Sequence, residues 1–204
     1  MEKKQYHSSS YHRFYENYAE REVTDEHGAT KIERVYVGEY YYPELSDEQF
    51  RLRKVLFPFL YVVSFLIFLL SGTCRVAANS SLYMIPFLAI SVCIYLLLLI
   101  PMVYCVRAEK EMELRYYRYS HIQLTRYCLC QAVCLFGAGT AVLVGSLLFS
   151  GIDAAVLLCA AGYCAAGAFM LVIYLLQSRT EWQKLPPKNK RPDKSSYIRY
   201  EESE

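Results

Sequence analysis

Charge is what this sequence lacks over most of its length. Between Val55 and Ser178, the only charged residues outside the segment 107–126 are Arg75 and Asp153. A carrier coupled to protons or ions needs ionisable groups at membrane depth. None is available, and the strongest polar group inside an apolar run is Gln131. Histidine is scarce too. His7, His12, His27 and His121 are scattered, and none is spaced for metal ligation or paired with a nucleophile. No catalytic residue, metal site or cofactor is therefore expected. The N-terminal block lacks the apolar run of a cleaved secretory signal, so the first apolar segment is expected to act as an uncleaved anchor.

What the chain does have is hydrophobic length. Four uncharged runs, Val55–Cys74, Val76–Val106, Tyr127–Ile152 and Ala154–Ser178, stand between the charged blocks. About 20 apolar residues suffice to cross a hydrocarbon core of about 30 Å as a helix. A bilayer leaves open backbone groups unsatisfied, so such runs must be helical. The expected fold is an all-α membrane protein, a four-helix transmembrane bundle of two hairpins. Its spans are expected at about 54–72, 82–106, 128–150 and 154–177, within a domain covering 46–184. The links between spans 1 and 2 and between spans 3 and 4 are too short for the large cysteine-bearing loop of a tetraspanin. Small multidrug transporters share the span count but rest on an intramembrane carboxylate that is missing here. No motif assigns the chain to a family.

Positive charge orients the bundle. The N-terminal block carries nine Lys and Arg, the central connector five and the C-terminal tail seven, leaving only Arg75 elsewhere. The positive-inside rule then puts both termini and the connector in the cytoplasm, with the protein in the plasma membrane.

Residues 1–45 form a cytoplasmic segment, a disordered tail followed by a short β-hairpin-like element over 21–42 that turns at Asp25–Gly28. Tyr40, Tyr41 and Tyr42 suit a membrane interface. Ser46 and Gln49 form a capping box that starts a helix near Asp47. The connector 107–127 is expected to be a helical hairpin. In it helix 2 runs past Val106, Glu111 pairs with Arg115, the turn falls near Arg118–Ser120, and Ser120 with Gln123 caps helix 3. Tyr116, Tyr117 and Tyr119 make this connector the candidate partner surface. Arg179 and Trp182 suit an interfacial helix end, and 185–204 reads as a disordered cytoplasmic tail.

Spans 3 and 4 are rich in small residues. Gly137, Gly145, Ala161, Gly162, Ala165 and Ala166 are expected to let helices approach closely, within the bundle or between two copies in a homo-oligomer. Cys105, Cys128 and Cys130 cluster near the cytoplasmic interface. They read as small apolar packing residues, with acylation and redox or soft-metal chemistry as the sharper alternatives. Cys74 alone lies near the outer face, so no disulfide framework is expected. Asn79-Ser80-Ser81 matches a glycosylation acceptor by chance.

The function these features point to is a non-enzymatic membrane interaction protein: a scaffold, accessory subunit or regulator. Its partners would be the lipid bilayer, a second copy, and a cytoplasmic or membrane protein, with no nucleic acid. The alternative is a subunit of an oligomeric or multi-component transporter. A lipid-modifying enzyme stands third.

Overall fold

The structure is a computed structural model that describes residues 17–24, 30–149 and 151–188. The tyrosines of the first fifteen residues, the turn at Asp25–Gly28 and the acidic end of the tail lie outside the described residues.

Among the described residues, four helices are long and apolar enough to cross a membrane. They are α1 (Asp47–Thr73), α2 (Ile85–Arg107), α3 (Leu114–Phe149) and α4 (Ala154–Ser178). Together they form a bundle. The most extensive interface is α3 with α4, followed by α2 with α3 and α1 with α4. The interior is built of Phe57, Phe68, Tyr95, Leu98, Leu135, Tyr163 and Met170, all nearly or fully buried. The outward surface is as apolar as the core, with Leu70, Leu147, Leu158 and Phe149 each at least two-thirds exposed.

The helix ends follow local chemistry. Ser46 caps α1 as its pattern predicts, accepting the Gln49 N–H at 3.2 Å while the Gln49 side chain accepts the Ser46 N–H. Asp153 caps α4 by accepting the Val156 N–H at 2.8 Å. Just before it, Gly151 takes φ +83°, a left-handed conformation that lets the short α3–α4 link reverse.

Among the described residues, five short strands lie at one end of the bundle. β1 (Tyr18–Thr24) and β2 (Thr30–Tyr36) pair antiparallel, from Tyr18 opposite Tyr36 to Thr24 opposite Thr30. A second sheet has the order β4-β3-β5, with β3 (Tyr40–Pro43) at its centre. Its edges are β4 (Met112–Glu113) and β5 (Trp182–Leu185), both antiparallel to β3.

The connector differs from the expected helical hairpin. α2 ends at Arg107, and α3 begins at Leu114, before Ser120. Residues 114–149 run as one helix with a wider π-helical stretch at Arg118–Gln123. Ser120 is therefore not a cap. It sits inside the helix, and its hydroxyl donates to the Tyr116 carbonyl one turn back, at 2.6 Å. Glu111 lies before the helix, so it forms no pair with Arg115. It bonds to Lys188 instead.

Candidate functional site

The three-stranded sheet draws one strand from each polar segment of the chain: the stretch before α1, the α2–α3 connector and the stretch after α4. Two to four residues per strand would not hold together alone. Aromatic packing supplies the rest. Tyr41 of β3 stacks on Tyr117 of α3 with ring centroids 4.1 Å apart. Trp182 of β5 meets the edge of Tyr117 at 4.9 Å and lies against His121 at the same separation. Tyr117 and His121 stack at 5.2 Å, four residues apart. On α2, Tyr104 stacks with Tyr119 at 4.6 Å, meets Tyr116 edge-on, and accepts a hydrogen bond from Arg115 at 2.6 Å.

Tyr36 joins the β1–β2 pair to this platform. Its hydroxyl donates to the Glu39 carbonyl at 2.9 Å and accepts the Leu114 N–H at 3.0 Å. The N–H groups of a first helical turn have no partner inside the helix, so this phenol acts as a cap for α3. Tyr18 donates to the Glu113 carboxylate, and the rings of Tyr18 and Tyr40 each make a T-shaped contact with Tyr36. Burial raises the pKa of all three phenols above the usual tyrosine value, and the Glu113 charge adds to the rise. Ion pairs Lys110–Asp47, Lys184–Glu39 and Lys188–Glu111 ring the edge. They are largely exposed and add little to stability.

Beneath the sheet, a cavity of about 20 Å³ lies between the start of α1 and β5, lined by Arg53, Lys54, Cys105 and Trp182 among others. That is room for about one water molecule. Arg53 donates to Thr180, and the Gln177 amide donates to the Ser120 carbonyl at 2.9 Å. Among the described residues, the buried Trp182 Nε1 and His121 Nδ1 atoms have no hydrogen-bond partner.

A second polar feature lies deep in the bundle. Tyr95 and Ser64 share a 2.6 Å hydroxyl–hydroxyl bond, Ser64 donates to the Ala166 carbonyl at 2.8 Å, and Tyr61 donates to the Tyr95 carbonyl at 2.8 Å. Gln131 is fully buried beside them. Neither its amide nitrogen nor its oxygen makes a well-formed hydrogen bond.

At the opposite end from the sheet, Asn79 clasps the end of α1. Its amide nitrogen donates to the carbonyls of Ser71 and Cys74 at 2.9 and 3.1 Å and to the Cys159 sulfur at 3.4 Å. Tyr163 donates to its oxygen at 3.2 Å. The nitrogen that a glycan would need is thus committed to the fold.

The residues singled out in sequence fall into distinct groups. Tyr116, Tyr117 and Tyr119 are half-buried in the aromatic packing rather than standing free on a hairpin. Tyr40, Tyr41 and Tyr42 are strand residues of the central β3. Arg179 follows the end of α4, but Trp182 belongs to β5. Cys105 and Cys128 are buried, whereas Cys130 is exposed, so the three do not converge. Among the described residues, no three His, Cys, Asp or Glu side chains are grouped to hold a metal.

The small residues split as well. Gly162 makes room for Ser71 of α1, Gly137 for Phe87 of α2 and Gly145 for Tyr83. Ala166 is buried against α1, while Ala161 and Ala165 face outward. The α3–α4 contact is made instead by Gly139 and Gly167. A Cβ on Gly139 would come within 2.8 Å of the Cys164 sulfur and 3.1 Å of the Ala160 carbonyl oxygen. Sequence reasoning also missed β4, β5 and the neighbouring position of Cys159 and Cys74. Comparison with protein-family models, with curated proteins and with solved structures finds no match for this chain.

Proposed function

We propose that this is a non-enzymatic integral membrane interaction protein, a scaffold, accessory subunit or regulator, which presents the sheet platform to a protein partner. In this reading the four helices span the plasma membrane, and the platform with both termini is cytoplasmic. The support is the loop-by-loop distribution of Lys and Arg and the outward apolar surface of the helices. The single observation that carries the interaction reading is that three separate polar segments are knitted into one sheet and locked to α3 by Tyr41, Tyr117 and Trp182. A head held this firmly loses little conformational entropy when a partner docks. The partner meets the platform as a unit. Tyr116, Tyr117 and Tyr119 shape it from within as well as contributing their exposed edges. The outward Ala161 and Ala165 of α4 offer a close-packing surface to a second copy.

The test is a mild-detergent purification of the tagged full-length protein, with mass analysis of the intact complex and its components. A stoichiometric partner, lost when Tyr116, Tyr117 and Tyr119 are replaced by serine, is the expected result. A clean homo-oligomer without a partner overturns the reading.

One observation favours the second reading, a subunit of an oligomeric or multi-component transporter. Gln131, with Tyr95 and Ser64, forms a buried polar seam at membrane depth, where such groups mark transport paths. Substrate flux in liposomes containing only this protein would bring that reading forward.

A further inference from the structure

Two thiols from different helices share one hydrogen-bonding site at the end of the bundle opposite the sheet. Cys74 directly follows α1 and is partly exposed, and its thiol donates to the Leu70 carbonyl at 3.5 Å. Cys159 lies in the second turn of α4 and is fully buried. Its thiol donates to the Ser71 carbonyl at 3.3 Å. The same carbonyl accepts the Cys74 N–H, also at 3.3 Å. Asn79 bridges the two residues, with one amide nitrogen reaching the Cys74 carbonyl and the Cys159 sulfur. Both thiols bond to carbonyls of the last turn of α1, Cys74 to Leu70 and Cys159 to Ser71.

Two other buried cysteines, Cys105 and Cys128, lie toward the sheet end. The two pairs sit at opposite ends of the bundle. If the sheet end is cytoplasmic, they face opposite redox environments.

We propose that Cys74 and Cys159 form a disulfide that ties the end of α1 to the start of α4 on the non-cytoplasmic side of the membrane. The proposal rests on the orientation read from the positive charges. Disulfides persist in oxidising compartments and are rare in the cytosol. Cys74 is the entry thiol because it is the exposed member. Its thiolate attacks a low-molecular-weight or protein disulfide donor, forming a mixed disulfide and releasing one donor thiol. The Cys159 thiolate then attacks the Cys74 sulfur. The protein S–S bond forms and the second donor thiol leaves. The two protein thiols give up two protons and two electrons, and the donor disulfide takes up both as two thiols. The Asn79 N–H at the Cys159 sulfur gives the thiolate of the second step a hydrogen-bond donor. Cys105 and Cys128, on the reducing side, stay as thiols.

The experiment is peptide mass analysis of the full-length protein from membranes, alkylated while denatured and before any reduction. The expected result is a linked peptide pair carrying Cys74 and Cys159, with Cys105 and Cys128 alkylated. Cys74→Ser and Cys159→Ser should each abolish the link and leave the other cysteine alkylated. A parallel variant combines Cys74→Ser and Cys159→Ser with Ser80→Cys, which places a reporter thiol in the α1–α2 link. It is treated in intact cells with a membrane-impermeant maleimide. If the reporter thiol is labelled from outside while Cys74 and Cys159 of the parent protein are alkylated without reduction, the disulfide is overturned and the orientation stands. If the reporter thiol is labelled only after permeabilisation and both parent thiols are free, the orientation has failed and takes the disulfide with it.

Discussion

Tyr41 and Tyr117 lie face to face, 4.1 Å between centroids and within 7° of parallel, although one precedes the first helix and the other opens the third. A stacked aromatic pair contributes about 0.5–1.5 kcal/mol beyond its buried area. Tyr41→Ala and Tyr117→Ala should each lower stability. Their double-mutant cycle should show a coupling of about that size. Thermal unfolding of the four proteins in one detergent gives the number, and strict additivity would show that the stack does not hold the platform.

Tyr36 should matter through its oxygen. Tyr36→Phe keeps the ring but leaves the Leu114 N–H and the Glu39 carbonyl without their partner, at a cost of about 1–3 kcal/mol for a buried unsatisfied group. Hydrogen exchange should rise at the start of α3 before it rises in the rest of the helix. Equal exchange in both proteins would rule out the capping role.

The same phenols set an alkaline limit. Tyr18, Tyr36 and Tyr40 have pKa values raised in the fold, by burial first and Glu113 second. A raised value means the fold favours the neutral form. Its contribution is complete below the unfolded tyrosine pKa of about 10 and is lost as pH climbs through the folded values. Ultraviolet tyrosinate titration should show late-ionising tyrosines, and the β1–β2 pair should loosen as they ionise. Tyr36→Phe should remove one of them.

Close helix contact predicts a contrast between glycines. A methyl on Gly139 meets a backbone carbonyl that cannot move aside, whereas one on Gly145 meets the end of the Tyr83 side chain. Gly139→Ala should cost about 1–3 kcal/mol by overpacking, and Gly145→Ala should cost less because Tyr83 can swing away. Ala161→Leu, on the outward face, should leave the monomer's stability unchanged. Unfolding in detergent ranks the three.

Gln131→Leu separates stability from transport. The buried amide makes no well-formed bond, so an apolar residue of similar size should be neutral or stabilising by about 1 kcal/mol. An unfolding temperature equal to or above that of the parent is expected. A loss of liposome flux in this folded variant would assign the seam a transport role.

The helices were legible because each contains an uncharged run long enough to cross a bilayer, and because Ser46 and Gln49 stand at helix-start spacing. The beginning of α3 was not legible. Ser120 and Gln123 have the same spacing, but the start had already been supplied by a phenol far upstream, Tyr36, which no local pattern reveals. The sheet was hidden for a similar reason. Strands as short as Met112–Glu113 and Trp182–Leu185 have no period to detect, and they are strands only because β3 lies between them. Asn79 explains the Cys74–Cys159 neighbourhood in the same way, as a long-range bridge written in no local spacing. Among the small residues, spacing alone could not tell Ala161 and Ala165, which face outward, from Gly139 and Gly167, which hold α3 to α4.

The central place of β3 also sets an order of events during synthesis. Its residues leave the ribosome before any helix does, yet its second edge is closed only by β5, made after all four. Until then a row of unpaired backbone groups stays open, the kind of edge that recruits other strands. A chain cut short after α3 keeps that edge bare. Pairing of Pro43 with Trp182 therefore completes the sheet only after the last helix has been made.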